Sequence, residues 1–477
     1  MVGVRGLISS SLDGARGTLR FSATHLAAIF VFLVTAGLAF ALGGIGPSDA
    51  SAQAQGARYE GVATCAGSTC HGRAEGNGAV VRQDEIATWQ EPSSASGAHS
   101  RAYAVLAGAR GKQIAQTLGL GAATSAPACL GCHATFAPQD QRGARFHVSD
   151  GVGCESCHGP SGGWLALHYA KPATHASNIA NGLTPLEHPQ ARARVCLDCH
   201  YGSTKTGQFV THSMMAAGHP RISFELDLFS ALQQHHDEDA DYSDRKPRTD
   251  SVRLWAVGQA EGVRRATDMF ARPDYAQRGL FPEFYFFDCH SCHRSITDGP
   301  ARKLTFEANP ERPIPFGNPP FNDENIIMLS AVARVLAPAE AGGFLDASRN
   351  FHRAMGDGRA ASQEAALALR GKAMSLSDAL AERASTGDDT FTVIATIAGE
   401  ATRTRFTDYA GSVQAVMAVD TLLNALVREG RVTVGAAAGI RTSINRAYAA
   451  VATPNSYSPG DFRSALGQAA GAIGALR

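Results

Sequence analysis

Paired cysteines constrain this chain more than any other feature. All 10 cysteines fall into five pairs, and a histidine directly follows the second cysteine of every pair. Four pairs read C-x-x-C-H, whereas the first reads C-x-x-x-x-C-H. We number these motifs 1 to 5 in chain order: Cys65/Cys70 with His71, Cys129/Cys132 with His133, Cys154/Cys157 with His158, Cys196/Cys199 with His200, and Cys289/Cys292 with His293.

This arrangement is what covalent attachment of haem requires. Two thiols add across the two vinyl groups of one haem, and the adjacent histidine binds the iron from the proximal side. Structural zinc would need two cysteine pairs for each site, and neither zinc nor a disulfide needs a histidine after the pair. The sequence therefore predicts five haem c groups, with all 10 cysteines as attachment residues and the five motif histidines as iron ligands.

Histidines outside the motifs are candidates for the distal position on each iron. His99 follows Trp89 and His168 follows Trp164, so that an aromatic ring near each histidine can pack on a haem plane. His212 and His219 share one segment, and we expect at least one of them to bind iron. The remaining candidates are weaker and are expected at the surface or around the ligands: His147, His175, His188, His235 and His236. His290 lies inside motif 5 and either serves a neighbouring haem or has no ligand role.

The N-terminus and the charge balance bear on location and partners. Three arginines precede an apolar run over residues 23–42, and small residues follow as far as Ala54, which is the order of a secretory signal. We predict cleavage after Ala54 and a periplasmic protein; an uncleaved membrane anchor is the alternative. Basic and acidic residues balance at 43 each, so nothing indicates a nucleic-acid partner.

The layout of the chain predicts a mainly α fold. Residues 55–308 carry the motifs and show little apolar periodicity, so we expect a pentahaem cytochrome c domain of short helices and loops around stacked haems, with one longer helix over residues 251–270. Residues 309–322 are rich in proline and are interpreted as a linker or strap. Residues 323–477 lack cysteine, are rich in alanine, and are predicted to form a bundle of four or five helices.

Several segments resemble the cytochrome c-554 and c-552/4 type of multihaem cytochrome. They are WQEPSSASGAH, GVGCESCHGP with Trp164 and His168 after it, VCLDCH, and AAGHPRISFEL. The resemblance covers roughly residues 60–295. It implies a helical scaffold with closely packed haems and periplasmic electron transfer, mostly through bis-histidine haems. It also implies distal ligation by His99, His168, and His212 or His219. The fifth motif, the longer first spacer and the helical C-terminal third depart from the family.

The motifs favour an electron carrier, which exchanges electrons with redox partner proteins and has no catalytic residue of its own. The alternative is a reductase or oxidoreductase of a small nitrogen or sulfur compound with one open haem site. The chain has no C-x-x-C-K motif, and its surplus of histidines offers every iron a sixth ligand. In a third reading, the helical C-terminal region docks a partner and the haems only relay electrons.

Overall fold

The computed structural model describes residues 58–76, 82–221, 223–236, 242, 250–273, 283–293, 311–315, 317–402 and 409–477. These residues belong to one compact unit, Ala57–Arg477. The predicted signal segment, residues 1–54, lies outside the described residues, as does most of the acidic run after His236.

The described residues form helices and no β-strand, so the predicted mainly α class is confirmed. The first nine helices are short: α1 Val62–Cys65, α2 Glu85–Gln90, α3 Ala109–Thr117, α4 Pro127–His133, α5 Cys154–His158, α6 His175–Ala180, α7 Pro189–His200, α8 His212–Ala216 and α9 Leu226–Leu232. Longer helices follow: α10 Ser251–Phe270, α11 Glu324–Leu336, α12 Pro338–Ala354, α13 Arg359–Glu382, α14 Gly387–Ala401, α15 Tyr409–Arg428, α16 Val434–Ala450 and α17 Pro459–Gly474.

Helix α10 has the bounds predicted from the sequence. The Asp250 side chain caps its N-terminus by accepting a hydrogen bond from the backbone N–H of Arg253 at 3.0 Å. The helix is buried along nearly its whole length, with Trp255 and Phe270 among its fully buried side chains. It packs against α7, which carries motif 4, and against α13 in the C-terminal region. One apolar core therefore runs from the motif-bearing half into the C-terminal helices.

The C-terminal region contains seven helices among its described residues, so the predicted number of four or five is wrong. Two local breaks add helices that the alanine-rich pattern conceals. Pro338 ends α11, because it cannot donate a backbone hydrogen bond, and opens α12 at the first helical position. Gly358 adopts a φ of 98° just before α13, a conformation that glycine tolerates best.

Helix α15 lies at the centre of these helices. The sequence predicts one apolar stripe along it, but the structure buries residues on almost every side of the helix. Among the described residues it is the one helix long and apolar enough to cross a membrane, and 78% of its apolar window is buried inside the molecule. Such burial is equally what the central helix of a folded core shows.

The proline-rich segment packs tightly where it is described. Phe321 lies edge-on to Phe270 at 5.6 Å and to Phe351 at 4.9 Å. Arg312 pairs with Asp323 inside the core, and His352 Nε2 lies 3.1 Å from the same carboxylate. This segment therefore forms a strap that packs against α12 and the start of α11. The division into a haem domain over residues 55–308 and a bundle over residues 323–477 stays a prediction.

Candidate haem-binding sites

Short helical turns present the cysteines and histidines of motifs 2 to 4. Motif 2 occupies the end of α4, which Pro127 opens at the first helical position. Motif 3 is α5 itself, and motif 4 ends the longer helix α7. Residues three apart lie on one side of a helix, so each C-x-x-C pair directs both thiols the same way. The structure therefore gives these motifs the local form that two thioether bonds to one porphyrin need.

Two attachment cysteines, Cys70 of motif 1 and Cys292 of motif 5, differ from the other eight. Both side chains are exposed, whereas the other eight cysteines are buried or half-buried.

The cause of this exposure is local, because both cysteines lie in turns and not in helices. The longer spacer of motif 1 carries Cys70 beyond the end of α1 at Cys65, and its backbone N–H donates to the Gly67 carbonyl at 2.8 Å. In motif 5 the Cys292 N–H donates to the Cys289 carbonyl at 3.3 Å, within a single turn. Attachment of haem at Cys70 and Cys292 stays a prediction, on the more open edge of each site.

Each motif histidine faces another histidine ring from a distant part of the chain. The distances between ring centroids are 6.3 Å for His71 and His168, 6.2 Å for His133 and His219, 6.1 Å for His200 and His99, and 6.1 Å for His293 and His212. His158 faces two rings, those of His235 and His236, each at 6.1 Å.

These distances match two imidazoles that bind one metal from opposite sides. With metal–nitrogen bonds of about 2.0 Å, the two ring centroids lie roughly 6.2 Å apart. All five motifs have such a partner, which is the donor set of a haem iron with two axial histidines. The histidines present therefore fit haem c at every motif.

Hydrogen bonds at Nδ1 hold many of these rings so that Nε2 is left for a metal. Such contacts fix the tautomer and orientation of a ligating histidine. Four histidines donate from Nδ1 to a backbone carbonyl oxygen: His133 to Ala102 (2.8 Å), His168 to Leu165 (2.5 Å), His219 to Pro220 (2.8 Å) and His235 to Gln233 (2.7 Å). His99 donates from Nδ1 to the side-chain oxygen Oε1 of Gln233 at 2.9 Å. His200 is held differently, by stacking on Phe224 with ring centroids 5.1 Å apart.

Burial keeps several of these imidazoles neutral. It lowers the pKa of His200 to about 4, and the charge of His99 adds to the effect. Burial also lowers the pKa values of His99, His219 and His235, although a hydrogen bond acts in the opposite direction at each. A neutral imidazole has a free lone pair at neutral pH, which metal binding requires.

Residues 64–159 match the family model described as cytochrome c554 and c-prime. Over these residues the chain is a c-type cytochrome of the cytochrome c554 family. The predicted resemblance is thereby confirmed over these residues, and with it a covalently bound haem c and a role in electron transfer. Over residues 160–295 the resemblance stays a prediction. The match contains motifs 1 to 3, whereas motifs 4 and 5 lie beyond it. No curated protein and no solved structure matches the chain.

Cysteines from different motifs touch in this cytochrome. The thiols of Cys65 and Cys154 lie side by side, as do those of Cys132 and Cys199. Burial, with the nearby Cys199 adding to it, raises the pKa of the Cys157 thiol to about 11. None of the 10 cysteines forms a disulfide. Motif 1 is therefore a neighbour of motif 3, and motif 4 is a neighbour of motifs 2 and 3.

A buried carboxylate ties motifs 1 and 3 together in the cytochrome. Glu155, inside motif 3, accepts backbone hydrogen bonds at 2.8 Å from Glu60 and Gly61, just before α1, and one at 2.7 Å from Ser161. Charge-assisted hydrogen bonds of this kind are stronger than neutral ones. The two motifs are thus held in one local frame.

Glu85, at the start of α2, contacts histidines at both of these motifs. Its Oε2 accepts from His71 Nδ1 at 3.0 Å, and its Oε1 lies 3.4 Å from His236 Nδ1. Burial would raise the pKa of Glu85, but the nearby Nδ1 atoms of His236 and His71 outweigh burial and hold that pKa well below its usual value. The carboxylate is therefore ionised at neutral pH.

Motif 5 of the cytochrome lies against the C-terminal helices. The buried Arg221 places Nη1 at 3.3 Å from Cys289 Sγ and pairs with Glu324 of α11 at 3.1 Å. His290, inside the motif, donates from Nδ1 to the carbonyl oxygen of Pro454 at 2.7 Å and packs on Tyr457. His290 is thus engaged with the C-terminal region and not with a neighbouring iron site.

Sequence reasoning ranked His235 and His236 too low. Both belong to a polar, acidic stretch that is typical of an exposed loop, yet the structure brings both opposite His158. A signal was present, because four preferred distal candidates could not serve five motifs. Of the other weak candidates, His175 pairs with Glu187 at 2.6 Å.

Proposed function

We propose that this cytochrome binds five haem c groups and carries electrons between redox partner proteins in the periplasm. The observation that supports the number is that each of the five motif histidines lies opposite a second histidine at the spacing of two axial ligands. In this proposal the 10 cysteines attach the porphyrins and the motif histidines bind the irons from the proximal side.

The distal ligands follow from the ring pairs. We assign His168 to motif 1, His219 to motif 2, His99 to motif 4 and His212 to motif 5. For motif 3 we assign His235, because its Nδ1 donates to a backbone carbonyl at 2.7 Å, whereas His236 Nδ1 lies 3.4 Å from Glu85. Burial also lowers the pKa of His235, which keeps its ring neutral for a metal.

Haem, when bound, supplies an iron centre that accepts and releases one electron. The chain contributes the two imidazoles at each site and the hydrogen bonds that keep their orientation. It also places charged groups such as Glu85 and Arg221 beside the motifs. These are the means by which a protein sets the potential of such a centre.

The ring pairs weigh against the alternative of an enzyme with one open haem site. Such an enzyme needs an iron whose distal side is left to the substrate. Here every motif histidine has a partner ring within 6.3 Å, and motif 3 has two. A carrier, which needs no substrate site, accounts for that surplus.

The periplasmic location rests on the signal-like order of residues 1–54 and on the usual location of the family. Cleavage after Ala54 would leave Gln55 as the first residue of the mature protein. Retention of the segment would instead give membrane association. N-terminal sequencing of protein from the periplasmic and membrane fractions separates the two outcomes.

The test of the proposed function counts the haems and examines their irons. Mass spectrometry of denatured, periplasm-matured protein should show five haem additions, and electron paramagnetic resonance of the oxidised protein should show low-spin iron only. Four additions would mean that one motif carries no haem. Motif 1 is the first to examine, because its spacer is long and Cys70 is exposed. A high-spin signal that changes on adding nitrite, hydroxylamine or carbon monoxide would overturn the carrier and favour the enzyme.

A further inference from the structure

Glu85 contacts ring nitrogens that belong to two different motifs. Its carboxylate lies 3.0 Å from the Nδ1 atom of His71, the proximal histidine of motif 1. Its other oxygen lies 3.4 Å from the Nδ1 atom of His236, whose ring faces His158 of motif 3. Its side chain is only 7% exposed. One buried carboxylate, that of Glu85, therefore contacts a histidine ring at each of two candidate haem sites.

The two sites that share Glu85 are also direct neighbours. The thiols of Cys65 and Cys154 lie side by side, and Glu155 accepts a hydrogen bond from the backbone N–H of Gly61, just before α1. The rings of His235 and His236 are 4.3 Å apart, so the charge lies close to motif 3 whichever of them binds the iron. The position of Glu85 between the motifs thus follows from local packing on both sides.

A carboxylate at this position acts on an iron through the ligand. By accepting the Nδ1 proton in a charge-assisted hydrogen bond, it makes the imidazole a more basic ligand, which favours the oxidised iron. At other motifs the described Nδ1 partners are neutral oxygens, for example the Ala102 carbonyl that accepts from His133. Because Glu85 is buried, salt screens its charge little, so the charge also acts on the neighbouring site.

We propose that Glu85 sets the reduction potentials of two neighbouring haems together, by lowering those at motifs 1 and 3 relative to the rest. The proposal rests on the proposed function, since it requires a haem at both motifs. It makes Glu85 a positioning and tuning residue that touches a ligand at motif 1 and a histidine beside the motif 3 ligand, and no iron. Losing its charge raises two potentials, and leaves the potentials at motifs 2, 4 and 5 where they were.

The test is Glu85→Gln, which keeps the size and an oxygen acceptor but removes the charge. Asp84→Asn is the matched control, because it removes a negative charge one residue away from Glu85. The described partner of the Asp84 carboxylate is Arg82, at 3.2 Å. Potentials are measured by a redox titration followed by visible absorption and by the low-spin resonance signals. In Glu85→Gln two of the five potentials should rise and the signals of the same two haems should shift, whereas Asp84→Asn should match the wild type.

Three results would overturn the inference: five unchanged potentials in Glu85→Gln, a rise at one haem only, or an equal rise at all five. If Glu85→Gln fails to mature with its haems, Glu85→Asp serves instead. Its shorter carboxylate keeps the charge but cannot reach both rings, so the same two potentials should rise by a smaller amount, and no rise contradicts the proposal. The wild-type haem count and spin state are measured separately, so failure of the proposed function is recognised independently.

Discussion

Two adjacent histidines, His235 and His236, lie at the same distance from His158, and their hydrogen bonds distinguish them. His235 donates to the Gln233 carbonyl, which fixes its ring with Nε2 free, whereas His236 faces the Glu85 carboxylate. We expect His235→Ala to produce a high-spin signal from one haem, because the motif 3 iron loses its distal ligand. His236→Ala should keep all irons low-spin. Electron paramagnetic resonance of the two oxidised variants checks this, and the opposite assignment of signals would make His236 the ligand.

Single residues also show what the sequence could reveal about the sites. The attachment cysteines and motif histidines are local in sequence, so their spacing alone predicted them. Spacing could not predict that Cys70 and Cys292 are exposed, because exposure depends on what the rest of the chain packs around each turn. Nor could it predict the partner of each distal histidine, because His99 meets His200 through tertiary packing.

Nearby tryptophans selected two of the distal candidates, and the structure supports only one of the two reasons. The Trp164 ring lies 5.5 Å from the ring of His168, as the sequence suggested. Trp89, which selected His99, instead donates its indole N–H to the Val152 carbonyl at 3.1 Å. A nearby tryptophan in the sequence therefore helped to select both histidines, but it did not predict which of them its ring contacts.

The junction of the proline-rich strap with α11 and α12 depends on one buried carboxylate. Asp323 pairs with Arg312 of the strap and lies 3.1 Å from His352 Nε2 of α12. We expect Asp323→Asn to lower the free energy of unfolding by about 3 kcal/mol, because the change leaves the Arg312 charge buried without its partner. Denaturant unfolding followed by far-ultraviolet circular dichroism measures the loss. Asp388→Asn, which removes an exposed partner of Arg431, should have little effect.

The same carboxylate gives the junction a pH dependence of known sign. Burial would raise the pKa of Asp323, but Arg312 and the hydrogen bond from His352 outweigh burial and lower it. Its folded-state pKa therefore lies below the unfolded value of about 3.9, and its stabilisation is full above that pH and lost as pH falls through the folded pKa. The difference in the free energy of unfolding between wild type and Asp323→Asn should therefore narrow below about pH 4. A constant gap down to about pH 2 would contradict this role.

Elements were predictable where their signals were local. The helical stretch over residues 251–270 was predicted with the bounds of α10, and Pro459 opens α17 at the first helical position. The Ser458 hydroxyl, however, donates to Asp461 at 2.7 Å and does not cap the backbone. The helix count failed because a short break at Pro338 leaves the apolar pattern almost unchanged while ending the hydrogen-bond ladder.

Across the whole molecule, α10 joins the haem-binding half to the C-terminal helices. Its side chains reach α13 through polar contacts as well as apolar ones: Glu261 accepts from Ser377 at 3.0 Å, and Arg370 pairs with Asp268 at 2.5 Å. On its other side Glu261 pairs with Arg194 of α7, the helix of motif 4. The predicted boundary after residue 308 would thus leave α10 with one of its two faces uncovered.

A chain that ends at residue 308 tests whether the predicted haem domain stands alone. Each fully buried large apolar side chain contributes about 1.5–3 kcal/mol, so uncovering several on α10 removes most of the roughly 5–15 kcal/mol that stabilises a typical domain. We expect the shortened chain to accumulate poorly. It should lose the low-spin signals of motifs 4 and 5 first, because α7 and Arg221 both contact the missing helices. Supplying residues 309–477 as a second exported chain should restore the yield. A shortened chain that matured with five haems and an unchanged resonance spectrum would instead establish residues 55–308 as an independent domain, with α10 stable without α13.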